Sequence, residues 1–239
     1  MLVKPDERVP LARLLKFLEL GERFAHDCAK AQAALAPEPA MGRFLIGQAR
    51  QEGFHALTFQ GAITWLAPGQ GWPSFECKPL HQYRRLFDDA IKRGDFAETI
   101  LSEQVILEGL GEVILKKLEA GLAKRNAPFR RLRRVVLLQE EAHHYFGRRT
   151  LEYLIANEQT SYEVLQQKAE NYLALTDSMI TTLRDLFESI EEDPAVYLSE
   201  HQRGLPPWLQ KGEKSFHDVI GEATVSNAQG NPSISTSSV

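Results

Sequence analysis

The sequence predicts an all-α protein: a bundle of four long helices followed by additional C-terminal helices. Apolar residues recur at steps of three and four along four long stretches, and Pro, Gly or Asn separates those stretches. No stretch alternates apolar and polar residues as a half-buried strand would. With 239 residues, 43% of them hydrophobic and 25% charged, the chain suits one globular domain. We place this domain at 1–221 and a low-complexity tail, expected to be disordered, at 222–239.

Breaks in the apolar pattern set the predicted helices. They cover residues 9–35, 41–65, 80–92, 95–124, 128–157 and 162–191, with one or two short helices after 194 that are broken by GLPP at 204–207. Asp95 and Ser161 are side chains that can cap the third long helix and the helix after the bundle. A Pro/Gly stretch at 67–73 cannot continue a helix and so ends the second one.

Composition excludes several classes of protein. The net charge of −4 gives no global reason to expect nucleic acid as a partner. The two cysteines, Cys28 and Cys77, are too far apart to form a Cys-x-x-Cys zinc or redox motif, which suits a reducing compartment. Acidic Asp6 and Glu7 lie where a signal peptide would be basic, and no run of apolar residues is long enough to span a bilayer. We therefore expect a cytoplasmic protein without a membrane span.

Two Glu-x-x-His motifs, Glu52–His55 and Glu140–His143, each follow a lone glutamate, Glu22 and Glu108 respectively. This order is the ligand set of a two-metal site inside a four-helix bundle. Four carboxylates buried in an apolar core without compensation would cost many kcal/mol, whereas two divalent cations would neutralise them. The motifs therefore predict a metal centre.

Helical spacing places every candidate ligand on a core-facing stripe. On the fourth long helix, for example, Val136, Glu140, His143 and Gly147 follow steps of four, three and four. The same steps hold on the other three long helices. The six predicted metal ligands are Glu22, Glu52, His55, Glu108, Glu140 and His143.

Two alternatives concern the register of these helices. Glu141–His144 is also a Glu-x-x-His pair, but arginines flank its stripe, so we prefer Glu140–His143. Glu103 rivals Glu108 on the third long helix, and we prefer Glu108 because its apolar stripe is longer. Glu103, like Glu19, Glu141 and His144, is then expected beside the ligands, where a carboxylate can accept a ligand histidine's N–H, or at the surface.

Four segments carry a family resemblance: GERFAHD (21–27), QEGFH (51–55), ILEG (106–109) and EEAHHYFG (140–147). They resemble the ferritin-like di-iron carboxylate superfamily, and within it most the cyanobacterial aldehyde-deformylating oxygenases. The same ligand pattern occurs in R2-like oxidases, tRNA hydroxylases and N-oxygenases. The resemblance covers residues 10–160 and rests on ligands and spacing.

The resemblance implies a ferritin-like fold holding two iron ions, with a manganese/iron pair also possible. It implies an enzyme that activates O2 and acts on an organic, apolar substrate such as a fatty aldehyde or fatty acid. The alternatives are a ferroxidase or peroxide-scavenging protein that handles iron, and a tRNA- or N-oxygenating enzyme. The small residues Ala25, Gly111 and Gly147 lie one turn from ligands, where they either leave room for O2 and substrate or permit close helix packing.

A basic cluster surrounds the turn between the third and fourth long helices. Its members are Lys116, Lys117, Lys124, Arg125, Arg130, Arg131, Arg133 and Arg134. It is either a solvated end of the bundle or a docking site for an acidic electron donor such as a ferredoxin-like protein. RNA phosphates and an acidic carrier protein are the other candidate partners, and RNA is the weaker of them because aromatic residues are not interleaved along the cluster.

Overall fold

A computed structural model describes residues 4–68 and 76–210 of the chain. Its helices are α1 (Arg8–Leu35), α2 (Pro39–Leu66), α3 (Lys78–Lys92), α4 (Phe96–Ile100), a π-helical segment (Leu101–Leu107, the π segment), α5 (Glu108–Lys124), α6 (Arg130–Ala156), α7 (Tyr162–Thr182), α8 (Arg184–Ser189) and α9 (Pro194–Gly204), with a final 3₁₀ turn (Pro207–Leu209). No strand occurs within those two ranges. The predicted all-α bundle with additional C-terminal helices is confirmed.

Four long helices form the bundle: α1, α2, α6 and the continuous helix that runs from α4 through the π segment into α5. A side-chain cap marks the start of the third of these helices but not of α1, α2 or α6. The Asp95 carboxylate accepts a hydrogen bond from the amide of Glu98, as predicted for an N-cap. The Ser161 hydroxyl does the same for Val164 at the start of α7.

The π segment is the main irregularity within the bundle. At its end the amide of Glu108 donates a hydrogen bond to the carbonyl of Glu103, five residues earlier. Six consecutive side chains of the segment, 101–106, are buried, as are all five of α4 before it. Helices that pack around this stretch cover it on several sides.

The helices outside the bundle pack over the π segment. α3 and α7 contact each other and cover it, and Tyr83 of α3 meets Tyr172 of α7 with ring centroids 4.9 Å apart. The Tyr83 hydroxyl donates to the carbonyl of Ser102 in the π segment. α9 packs on α5 and α7. α3, α7 and α9 therefore hold the third long helix along the stretch that carries Glu103 and Glu108.

The prediction of one helix over 162–191 is wrong, because the structure divides it at Leu183 into α7 and α8. The hydroxyls of Thr181 and Thr182 hydrogen-bond to carbonyls one turn earlier, just before the division. Leu183, Leu186 and Phe187 are all buried, so packing in the core holds the chain on both sides of the division.

Two further predictions concern residues outside the described ranges. The tail at 222–239 and most of the Pro/Gly connection at 67–73 lie there.

Cys28 and Cys77 are both free thiols and buried. Within the described part of the chain, no helix combines the length and apolar character needed to cross a membrane.

Candidate metal centre

The six predicted ligands, contributed by α1, α2, α5 and α6, meet at the middle of the bundle. Their donor atoms form two groups, each with all atoms within 4.8 Å of one another. The two groups are Glu22, Glu52, His55 and Glu140, and Glu52, Glu108, Glu140 and His143. Both groups contain Glu52 and Glu140. A carboxylate has two oxygens, so each shared glutamate can bridge two cations.

His55 lies among three carboxylates of the first group. Its Nδ1 is 2.8 Å from Glu140 Oε1, 3.0 Å from Glu52 Oε2 and 3.3 Å from Glu22 Oε2. An imidazole nitrogen carries at most one hydrogen and cannot satisfy three acceptors. A cation at this point would serve all four side chains.

His143 has the same position in the second group. Its Nδ1 is 2.8 Å from Glu52 Oε1 and 3.9 Å from Glu108 Oε1. Although these atoms are close, His143 Nδ1, Glu52 Oε1 and Glu140 Oε1 are buried without a hydrogen bond of acceptable geometry. Buried polar atoms are rarely left in this state. The donor set of carboxylate oxygens and imidazole nitrogens therefore fits iron or manganese at two positions.

The electrostatics of the protein alone show how strained this cluster is. Burial raises the pKa of Glu22 well above its usual range, and the negative charge of Glu140 raises it further. Burial and the same neighbour raise the pKa of Glu108. Burial also acts to raise the pKa of Glu52, but hydrogen bonds from His143 and His55 outweigh it and leave the pKa below the ordinary value. Cations would relieve this repulsion.

Two glutamines hold the outer nitrogens of the two histidines. His55 Nε2 is 2.8 Å from Gln139 Oε1, and His143 Nε2 is 2.7 Å from Gln51 Oε1. Because an amide oxygen accepts, each Nε2 carries the hydrogen and each Nδ1 is left for a cation. Sequence reasoning missed both glutamines. The signal was present, since each directly precedes the glutamate of a Glu-x-x-His motif, giving Gln-Glu-x-x-His twice.

The overlapping motif Glu141–His144 does not join the cluster. The Glu141 side chain is 41% exposed and pairs with Lys116 at 3.2 Å. His144 Nδ1 is 2.7 Å from Glu112 Oε2 instead of facing the six ligands. Glu19 is buried and paired with Lys16 at 2.6 Å. None of these three residues belongs to either group of donor atoms within the described chain.

Glu103 was expected either beside the ligands or at the surface, and it does not lie at the surface. It is fully buried, and neither carboxylate oxygen has a hydrogen-bond partner among the described residues. α-Helical spacing separates Glu103 from Glu108 by ~140° around a helix, so only one could face the core. The π segment removes that separation, and both face it.

A chain of glutamines steadies Glu108. Gln48 Nε2 donates to Glu108 Oε1 at 2.9 Å, and Gln104 Nε2 donates to Gln48 Oε1 at 3.2 Å. Gln104 and Gln32 exchange two further hydrogen bonds of 2.9 and 2.7 Å. The amides of these three buried glutamines are thus partnered by one another and by Glu108.

A cavity of about 40 Å³ lies beside the cluster. Its wall combines four acidic side chains with apolar ones: Glu22, Glu103, Glu108 and Glu140 with Phe17, Leu18, Gly21, Ala25, Leu80, Leu107, Leu110, Gly111 and Ile114. Ala25 and Gly111 line this space, which agrees with the expectation that small residues leave room beside the ligands. Gly147 serves close packing, because an added Cβ would lie 2.5 Å from Gln104 Cβ.

The fold is that of the ferritin-like helical bundles. A solved structure described as protein 19 with aldehyde deformylating oxidase activity, from Synechococcus, matches with a TM-score of 0.75 over 95% of this chain and 99% of that chain. The two sequences are 19% identical, so the likeness establishes the fold. No protein-family model and no curated sequence matches the chain.

Proposed function

We propose that this protein is a di-metal oxidase or oxygenase, with two iron ions as the preferred pair, that activates O2 to transform an apolar organic molecule. The observation that carries the proposal is the pair of four-residue groups that share Glu52 and Glu140. The two shared glutamates would hold both cations, and buried atoms without partners lie where the cations would bind. Bound iron would supply the electrons that O2 requires.

The chain's own residues would set the conditions for this chemistry. Gln51 and Gln139 fix the tautomer and orientation of the two histidines, so that both Nδ1 atoms face the cations. Gln48 holds one oxygen of Glu108. The apolar wall of the cavity keeps bulk water from the reaction, which strengthens electrostatic interactions inside it.

Long-chain aldehydes are the substrate class that we favour. The Synechococcus protein of the same fold has aldehyde deformylating oxidase activity. Here Leu18, Leu80, Leu110 and Ile114 are among the apolar residues that line the cavity. Such a wall suits a hydrocarbon chain with its polar end toward the cations.

The size of the cavity favours a second candidate, a ferroxidase without an organic substrate. About 40 Å³ holds O2 or a few waters but no hydrocarbon chain unless α1 or α5 moves. In that candidate the protein oxidises Fe(II) with O2, and no organic product forms.

One experiment separates the two candidates. The protein is loaded anaerobically with Fe(II), its metal content is measured, and it is then given O2, a chemical reductant and a long-chain aldehyde. Products are identified by gas chromatography with mass spectrometry, and one-carbon products by nuclear magnetic resonance. The Glu52→Ala variant, which lacks a shared ligand, is the control.

We expect two iron ions per chain and aldehyde-dependent product that Glu52→Ala does not form. Consumption of O2 with Fe(II) alone, and no organic product, would favour the ferroxidase. Far less than one metal per chain after loading would overturn both candidates, because each needs the cluster to bind iron.

An acidic protein is proposed as the electron donor. Half of the basic cluster is already compensated within the molecule; for example, Lys117 pairs with Glu200 at 2.8 Å and Arg133 with Glu119 at 2.5 Å. Arg130 and Arg131 at the start of α6 are exposed. These arginines keep positive charge at one end of the bundle, where it would attract an acidic partner.

A further inference from the structure

Glu103 is a buried acid that the six-ligand site leaves without a role. It is 0% exposed, and both of its carboxylate oxygens lack hydrogen-bond partners within the described residues. Other buried acids outside the six are satisfied: Glu19 pairs with Lys16, and Glu98 with Arg93 and Lys168. A carboxyl group buried without partners costs free energy, so its retention calls for a compensating contact.

The π segment directs Glu103 to the metal centre. The carbonyl of Glu103 accepts the hydrogen bond from the amide of Glu108, five residues later. The two residues therefore lie on one face of the helix. Both side chains line the same cavity, together with Glu22 and Glu140.

Contacts from other helices keep the π segment in this register. His201 of α9 lies with Nε2 2.9 Å from the carbonyl of Ile106. Tyr83 of α3 hydrogen-bonds to the carbonyl of Ser102. Each uses a backbone oxygen of the π segment on one side or the other of Glu103. Two separate helices, α3 and α9, thus hold the backbone on either side of Glu103.

We propose that Glu103 is a seventh metal-binding side chain of this centre, which joins the cation held by Glu108 when its carboxylate turns from the cavity wall toward that ion. The proposal rests on the proposed function, since it requires the two cations. As the structure stands, the Glu103 oxygens lie outside both four-residue groups. Rotation about side-chain bonds is needed, and the cavity beside the residue provides the space.

The test compares Glu103→Gln with the parent protein, using Co(II) as the probe. Co(II) binds similar oxygen and nitrogen ligands, and its visible absorption changes with the number and geometry of its ligands. Glutamine keeps the size of the side chain but removes its charge. We expect Glu103→Gln to bind one of two Co(II) ions about tenfold more weakly and to show an altered absorption band.

A structural role is excluded by measuring the thermal stability of the metal-free proteins. If Glu103 serves the metal, then Glu103→Leu removes an unsatisfied polar group, and metal-free Glu103→Leu melts at a higher temperature than the parent while binding Co(II) more weakly. If Glu103 were needed only for folding, Glu103→Leu would lower both the melting temperature and the Co(II) affinity. Glu98→Gln, a buried acid on the same long helix with partners of its own, is the matched control and should retain parental Co(II) binding.

Parental affinity and absorption in both Glu103 variants would overturn the seventh ligand and leave the six-ligand centre standing. A parent protein that binds no Co(II) would overturn the proposed function and this inference together. The two failures are therefore distinguishable in one set of titrations.

Discussion

The imidazole Nε2 of His55 lies 2.8 Å from the side-chain oxygen of Gln139, the residue just before Glu140 in the other Glu-x-x-His motif. The reciprocal contact joins His143 to Gln51, which just precedes Glu52. Each motif therefore orients the histidine of the other. The centre is built from two interlocked copies of Gln-Glu-x-x-His on α2 and α6.

Replacing Gln139 by Leu should lower metal affinity by about 10–100-fold, because His55 loses the acceptor that fixes its ring. Competition with a chelator of known affinity measures the effect. Gln60→Leu is the control on α2, since the Gln60 amide donates to Glu19, which belongs to neither four-residue group. Equal affinity of Gln139→Leu and Gln60→Leu would show that the contact does not serve the metal.

Much of this centre follows from sequence because helix spacing is regular outside the π segment. Steps of three and four put Glu52 and Glu140 on core stripes, and the structure buries both. Their role as ligands stays a prediction. Two irregularities were not predicted: the extra residue in the π segment before Glu108 and the division at Leu183. Both depend on packing between helices distant in sequence, which a local periodicity does not contain.

Variants that lack a shared ligand should bind fewer metal ions per chain than variants that lack an unshared one. Glu52→Ala removes a member of both four-residue groups, so we expect it to lose both ions. Glu22→Ala removes a member of one group and should retain one ion. Elemental analysis after anaerobic loading gives the count per chain. Two ions in Glu52→Ala would contradict the bridging arrangement.

Metal binding should also stabilise the fold. A ligand that binds only the native state adds about 2.7 kcal/mol to the free energy of unfolding at a free concentration of 100 times its Kd. Chemical denaturation with and without metal measures this, and Glu52→Ala should show no gain. A gain of the same size in Glu52→Ala would indicate binding elsewhere on the protein.

Gly147→Ala should destabilise the protein by about 1–3 kcal/mol, because the new Cβ would overpack against the π segment. That atom would lie 2.5 Å from Gln104 Cβ and 3.1 Å from the Gln104 backbone carbon. Gly121→Ala on α5 is the control, with no atom within 4 Å of its added Cβ. It should be stabilising by roughly 0.5–1 kcal/mol. Urea unfolding compares the two, and equal signs would contradict the close contact.

His201 should make the stability of the protein depend on pH. Burial lowers the pKa of His201 to about 4, although its bond to the Ile106 carbonyl and the charge of Asp177 act to raise it, and His144 acts to lower it. Native His201 thus stays neutral while the unfolded chain protonates near pH 6.5. The stability is fully present above pH 6.5 and is lost as the pH falls toward 4.

The loss over that range is about 3 kcal/mol, since ~1.4 kcal/mol accompanies each tenfold difference in proton affinity. His201→Gln cannot be protonated there and keeps a donor for the Ile106 carbonyl. Its unfolding free energy should therefore fall less than that of the parent between pH 6.5 and 4. Parallel pH curves for the two proteins would rule out His201 as the group responsible.

Charge reversal at the start of α6 should weaken binding of the proposed electron donor and leave the metal centre unchanged. Arg130 and Arg131 are exposed, and Phe129 beside them is 75% exposed with a left-handed backbone (φ 63°). This aromatic residue would give the basic surface an apolar contact for the proposed partner. With a ferredoxin as donor, replacing both arginines by Glu should raise its KM about tenfold and reduce the dependence on salt. Activity with a small chemical reductant should not change. Glutamates at exposed Arg13 and Lys30 of α1 make the same change in net charge, and an equal rise in KM there would show that net charge, not this surface, controls the encounter.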